Sequence, residues 1–218
     1  MRHRKPQQLV TLFAGMSPNR FVVHKDFACH YAPVLEAAFN GKFIEGHTQV
    51  YKFQDTGEEA VRLLVHWLYT QKLDTIVLND LHKQGGSENH SKHLNSQSRA
   101  MVELWVLCER LLIPRLQNEI ITEIERVRKH TQVISISNLK YVYENTPSDS
   151  PLRRVHVDYC VAHCISSISY SKYPDRYPQE MLLDMVKRFT KVISNAQRFK
   201  VSPGGNMAAY HVVEDLES

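Results

Sequence analysis

Cysteine is scarce in this chain: Cys29, Cys108, Cys160 and Cys164 are the whole set among 218 residues. Four scattered thiols with no export signal ahead of them do not make a disulfide framework. They predict reduced cysteines in the cytosol or nucleus. Long apolar runs are missing too. No segment approaches the roughly 20 consecutive apolar residues of a membrane helix. The basic opening MRHRKPQQLV has no apolar stretch behind it, so no secretory signal and no membrane partner are expected. The formal net charge is only +4, the basic residues are dispersed, and the last residues carry Glu214, Asp215 and Glu217. That balance does not predict a nucleic-acid partner. The short basic runs at Arg126, Arg128, Lys129 and His130, and at Lys187, Arg188 and Lys191, read as solvated helix faces without the aromatic platforms that single strands need. Catalytic signatures are absent as well. There is no Gly-rich phosphate loop, no Gly-x-Ser-x-Gly elbow and no His-Glu-x-x-His. An enzyme is not expected, and neither is a cofactor.

What remains is ordinary globular composition arranged in clear periods. Leu9 to Ala14 and Phe21 to His24 read as two short strands joined by the turn residues Gly15 to Arg20. Phe27, Tyr31, Val34, Leu35 and Ala38 then recur at steps of three and four, the apolar stripe of a helix. Pro33 inside this run predicts two short helices, the second opening at the proline and closing at Asn40-Gly41. Gln49 to Phe53 alternates as a third strand. Asp55 or Thr56 can cap a helix carrying Val61, Leu64, Val65 and Leu68, ending around Tyr69 to Lys72. From 74 to 98 the chain changes character: residues 82–98 hold almost no apolar side chains, with Gly85-Gly86 adjacent, and predict a mobile, loose surface insertion. Met101, Leu104, Trp105, Cys108 and Leu112, then Leu116, Ile120, Ile124 and Val127 after Pro114, predict a helical hairpin. Beyond Lys129 the period is helical throughout. Ser137 can cap one helix, Ser150-Pro151 opens another, and a last helix after Pro178 carries Leu182, Met185, Val186, Phe189 and Ile193 before Ser202-Pro203-Gly204-Gly205 breaks it.

For metal, the best constellation is His156, Cys160, His163 and Cys164, which share one helical face. A structural zinc needs four ligands and one helix seldom supplies them all, so packing in a core is the favoured reading and no metal is assigned. His82, His90 and His93 lie in the polar insertion, and ordering that segment around an ion would cost entropy.

Four segments carry a family resemblance. Phe21-Val22-Val23-His24-Lys25 resembles the "F-x-V-H-K" strand end of the BTB (POZ) domains. Phe39-Asn40-Gly41-Lys42-Phe43-Ile44-Glu45-Gly46 resembles their "F-x-G-x-F-x-E-G" loop. Trp67-Leu68-Tyr69-Thr70 is similar to their "W-L-Y-T/S-G" helix end, with Gln71 where the family has glycine. Leu107 to Asn118 (LCERLLIPRLQN) resembles their "L-A-D-K-Y-x-I-P-x-L-Q-N" segment. The resemblance spans about Leu9 to Arg128. Tyr141 to Pro147 and Ser150 to Arg154 resemble the C-terminal helical extension of fungal BTB proteins.

The resemblance implies an α+β fold, a small three-stranded sheet flanked by helices and followed by an all-α extension. It divides the chain into an arm (1–8), a BTB unit (9–130, with the insertion 74–98), a helical extension (131–200) and a loose tail (201–218). It implies that His24 and Lys25 pin the junction of strand and helix, with a hydrogen-bonded, partly buried imidazole. It also implies a protein partner. In BTB adaptors of cullin-RING ubiquitin ligases a hydrophobic-x-acid motif in this loop docks the cullin, and Phe43, Ile44 and Glu45 occupy those positions. The alternative is a scaffold or oligomerisation module with no ligase link. Swapped BTB dimers exchange an element ahead of the hairpin, and only eight polar residues precede Leu9. A dimer through the faces of the first helices (Phe27, Tyr31, Leu35) is the form left open.

Overall fold

Apolar residues at every second position of Leu9–Ala14 place Val10, Leu12 and Ala14 on one face, and all three are buried. This strand, β1, is the centre of the sheet. The computed structural model describes residues 7–73, 75, 88–163 and 169–193. β2 (Arg20–His24) runs antiparallel to β1, with Leu9 opposite His24 and Thr11 opposite Val22. β3 (Val50–Phe53) pairs with the other edge in parallel, Thr11 opposite Val50 and Ala14 opposite Phe53. The order β2-β1-β3 is thus a mixed sheet. β2 and β3 lie on opposite edges of β1, so no tight turn can join them and the chain between them crosses over through helices.

It does so through α1 (Lys25–Tyr31), α2 (Pro33–Asn40) and α3 (Ile44–Thr48). Pro33 stands at the first position of α2, as its missing N–H favours. Leu35 and Phe39 bury into the core, whereas Phe27, expected there from its spacing, is 39% exposed. The α1 face turns Ala28 inward instead, because Phe27 stacks outward on Tyr69 with ring centroids 4.8 Å apart. α4 (Glu58–Thr70) buries Ala60, Val61, Leu63, Leu64, Trp67 and Leu68. Gly57, rather than Asp55 or Thr56, sits at its N-terminus, and its N–H donates to Glu103 Oε2 at 2.9 Å. Trp67, 1% exposed, donates its indole N–H to Glu119 Oε2 at 2.7 Å.

α5 (Glu88–Leu111) and α6 (Pro114–Thr131) form the expected helical hairpin. The expectation that all of 74–98 is a loose insertion is corrected, since 88–98 are the opening turns of α5. Buried Gln97 continues the inward face back from Met101 by one turn, and Arg99 binds Glu103 one turn along. The rest of the insertion lies outside the described residues, apart from Thr75, as does the predicted tail 201–218.

The all-α continuation comprises α7 (Leu139–Asn145), α8 (Pro151–His163), α9 (Ser169–Lys172), a 3₁₀ turn (Pro174–Arg176) and α10 (Gln179–Ile193). Asn138, not Ser137, precedes α7 and donates to Ser98 Oγ at 3.0 Å. Ser150 acts as expected, accepting the Leu152 N–H on its hydroxyl at 3.2 Å. Leu139, Val142, Leu152 and Met181 belong to the same buried core as Leu12 and Leu64. Arg99 lies over the Tyr141 ring at 3.9 Å, and Arg128 over the Tyr159 ring at 5.0 Å. The α+β class expected from the sequence is the class observed, and no helix among the described residues is long and apolar enough to cross a membrane.

The seam between α6 and α8 gives the fold an acid-sensitive contact. Glu125 takes two hydrogen bonds from the Arg128 guanidinium, at 2.7 and 2.9 Å. These bonds, helped by the neighbouring Tyr159 hydroxyl, hold its carboxyl down at about 2. A depressed carboxyl contributes stability that is complete above its unfolded value, near 4.5, and is lost as pH falls towards 2. Urea midpoints measured across that window should therefore fall more steeply for the wild type than for Glu125→Gln. Equal slopes would remove Glu125 from the account.

Candidate functional site

The site is built from the carbonyl end of α2 outward. A helix leaves its last carbonyls without partners. Here Phe39 O receives Lys25 Nζ at 3.0 Å and Gln49 Nε2 at 3.1 Å. Lys25 comes from the start of α1 and Gln49 from the end of α3, so two donors from neighbouring elements fix where α2 stops. Gln49 adopts a left-handed backbone, φ +54, and its side-chain amide also reaches Gly46 O at 2.6 Å. Between them, Asn40 to Gly46 is compressed: a Cβ on Gly46 would fall 2.1 Å from Gly41 O, and one on Gly41 would fall 2.6 Å from Ala37 O. Both glycines of the Phe39–Gly46 motif are therefore needed for close backbone approach, although neither has a positive φ.

That compression pushes Phe43 outward. Its side chain is 75% exposed and Ile44 is 71% exposed, side by side at the entrance to α3. Glu45 lies in the first turn of α3, and its carboxylate has no hydrogen bond or ion pair among the described residues. The three positions singled out in the sequence therefore form one rim: two apolar side chains in water and an acid free to pair. The short helix from Ile44 replaces the open loop expected from the motif.

His24 sits where β2 passes into α1, as expected. Its backbone N–H donates to Tyr69 Oη at 2.9 Å, and its Nδ1 lies 2.9 Å from the same oxygen. The partly buried imidazole packs edge-on to Phe27 and Tyr69. His24 and Lys25 thus act in opposite directions from adjacent positions, His24 tying β2 to α4 and Lys25 tying α1 to α2. Gln49 was not legible as a third member. The alternation had placed it at the start of the third strand, which begins instead at Val50.

The His156 constellation is resolved in part. His156 is buried on α8, its Nδ1 is 2.8 Å from Leu152 O, and burial holds its pKa below the usual value. Cys160 is buried in the core. The His163 side chain and Cys164 lie outside the described residues, as do His82 and the His90 side chain, and among the described residues no group of three or more His, Cys, Asp or Glu could hold a metal. Cys108 is fully enclosed, and burial pushes its thiol well up, which leaves it unreactive. No family model matches the chain, and no curated protein matches it.

Proposed function

We propose that this chain is a non-enzymatic protein–protein interaction module of BTB (POZ) type, acting as an adaptor that docks a cullin in a cullin-RING ubiquitin ligase. The observation that carries the reading is the rim: Phe43 and Ile44 both exposed, beside the Glu45 carboxylate, which is unpaired among the described residues. Exposed apolar pairs of this kind serve as anchors, and burying one such side chain is worth about 1.5–3 kcal/mol. The acid sets orientation at the edge of such an anchor rather than adding much affinity. The order of strands, short helices, third strand, long helix and helical hairpin supports the family assignment. The quoted motifs support it too, since His24, Lys25, Gly46 and Trp67 all make the contacts described above.

The test is a pull-down of purified cullin by the full chain and two variants. Phe43→Ala should weaken capture about ten-fold or more while leaving the melting temperature unchanged, because an exposed side chain contributes little to the fold. Glu45→Lys should weaken it through repulsion at the rim. Full retention by both variants would remove the cullin reading. A scaffold or self-association role remains as the second reading. It is favoured by the outward Phe27–Tyr69 pair, since of Phe27 and Tyr31 on α1 and Leu35 on α2 only Phe27 is substantially exposed while Leu35 is fully buried.

A further inference from the structure

The basic run Lys187, Arg188 and Lys191, a solvated helix face in the sequence, meets Arg153 and Arg154 in the fold. A groove of about 420 Å³ lies between α8 and α10, lined by Arg153, Arg154, Lys187, Arg188 and Lys191 against Asp158 and Asp184. Arg188 is held by Asp158 at 2.5 Å, Lys187 by Asp184 at 3.4 Å, and Arg153 by Glu180 at 2.7 Å from outside the groove. The lining sets basic side chains against Asp158 and Asp184 alone, with Glu180 holding Arg153 from outside, and exposed Arg154 makes no ion pair among the described residues. Beside the groove, one turn before Lys187, Leu183 is 57% exposed. The surface therefore asks for an occupant both acidic and apolar.

The chain carries one. Val212-Val213-Glu214-Asp215-Leu216-Glu217 alternates apolar and acidic groups, with three carboxylates in six residues. We propose that this C-terminal segment docks back into the basic groove between α8 and α10, its carboxylates towards Arg154, Lys187 and Lys191 and its apolar residues over Leu183. The reach is ample. α10 ends at Ile193, and the 15 residues of that helix span roughly 22 Å, whereas the 18 residues between Ile193 and Val212 can extend more than about 50 Å. Ser202-Pro203-Gly204-Gly205 lies between them, with the composition of a chain reversal. Tethering supplies an effective concentration of about a millimolar, so weak charge-assisted contacts suffice. The docking is independent of the cullin reading, because it uses neither the rim nor the sheet.

Carbodiimide coupling of the full chain at dilute concentration tests it, since the reagent joins only carboxylates and lysine amines already in contact. Mass spectrometry of the monomer should find Lys187 or Lys191 joined to Glu214, Asp215 or Glu217. The neighbouring Lys187–Asp184 pair serves as the internal reference. The yield relative to that reference should fall about five-fold in Arg154→Glu, which removes no amine, and similarly at about 1 M salt, where the screening length is near 3 Å. Absence of these links while the reference couples would overturn the proposal. Their appearance only in covalent dimers would overturn it too, by assigning the groove to a second copy's tail.

Discussion

Gly46→Ala is expected to cost both stability and partner binding. A methyl group at this position would sit 2.1 Å from Gly41 O, 3.0 Å from Gly41 C and 3.3 Å from Ala38 O. All three neighbours are backbone, held in place by α2 and by the Lys25 and Gln49 bonds to Phe39 O. Relief therefore requires Asn40–Gly46 to open, not a side chain to rotate. Overpacking of this kind costs about 1–3 kcal/mol. The opening would also swing Phe43 and Ile44 out of register with Glu45, so cullin capture should fall by about ten-fold or more. Chemical denaturation read beside binding separates this from Phe43→Ala, for which binding falls alone. Wild-type stability in Gly46→Ala would contradict the close approach.

Arg153→Met is expected to be the most destabilising substitution in the C-terminal helices. The guanidinium is 6% exposed and holds four partners: Glu180 Oε1 at 2.7 Å, Thr146 Oγ1 at 3.1 Å, Tyr143 O at 2.7 Å and Thr146 O. It also lies over the Tyr143 ring at 4.3 Å. Methionine fills part of the volume but donates nothing. The carbonyls that end α7 would be left without a donor, at about 1–3 kcal/mol for each buried orphan. Glu180 is half exposed and returns to water, so it adds little. A loss of about 3 kcal/mol should lower the melting temperature by roughly 6–12 °C in a chain of this size. Arg153→Lys should recover little of it, because one ammonium cannot span the fork from Glu180 to Tyr143 O. A melting temperature within a degree or two of wild type would show that α7, α8 and α10 do not depend on this hub.

The strands and the inward helix faces were legible because burial on one side imposes a period. Val10, Leu12 and Ala14 alternate, and Leu64, Trp67 and Leu68 follow a helix. Chain ends and reversals were less legible. Gln49, Gln71 and Gln132 all take left-handed backbones at helix ends, where glycine is the usual signal. Each compensates by turning its side-chain amide onto a carbonyl of the turn it closes: Gly46 O, Trp67 O and Lys129 O. A sequence rule that looks for glycine passes over all three. The start of α5 was hidden because residues 88–98 are almost all polar, and among 92–98, where burial is described, Gln97 is the buried one. Phe27 was misplaced because its spacing fits the apolar stripe, while Tyr69, forty-two residues on, supplies an outward partner that no local pattern reveals. Of the candidate site, the exposed positions could be named from the motif. The reason they stand out from the surface lies in Gln49, Lys25 and the Gly41–Gly46 approach, which only the fold brings together.

The measurement that bears most directly on the account is a calorimetric titration of a purified cullin N-terminal domain into the full chain, repeated with Phe43→Ala. Docking at the Phe43–Glu45 rim predicts saturable one-to-one binding by the wild type and a loss of about 1.4 kcal/mol or more in the variant, a ten-fold or greater drop in affinity. No heat of binding with the wild type, or equal affinity for the two proteins, would contradict it.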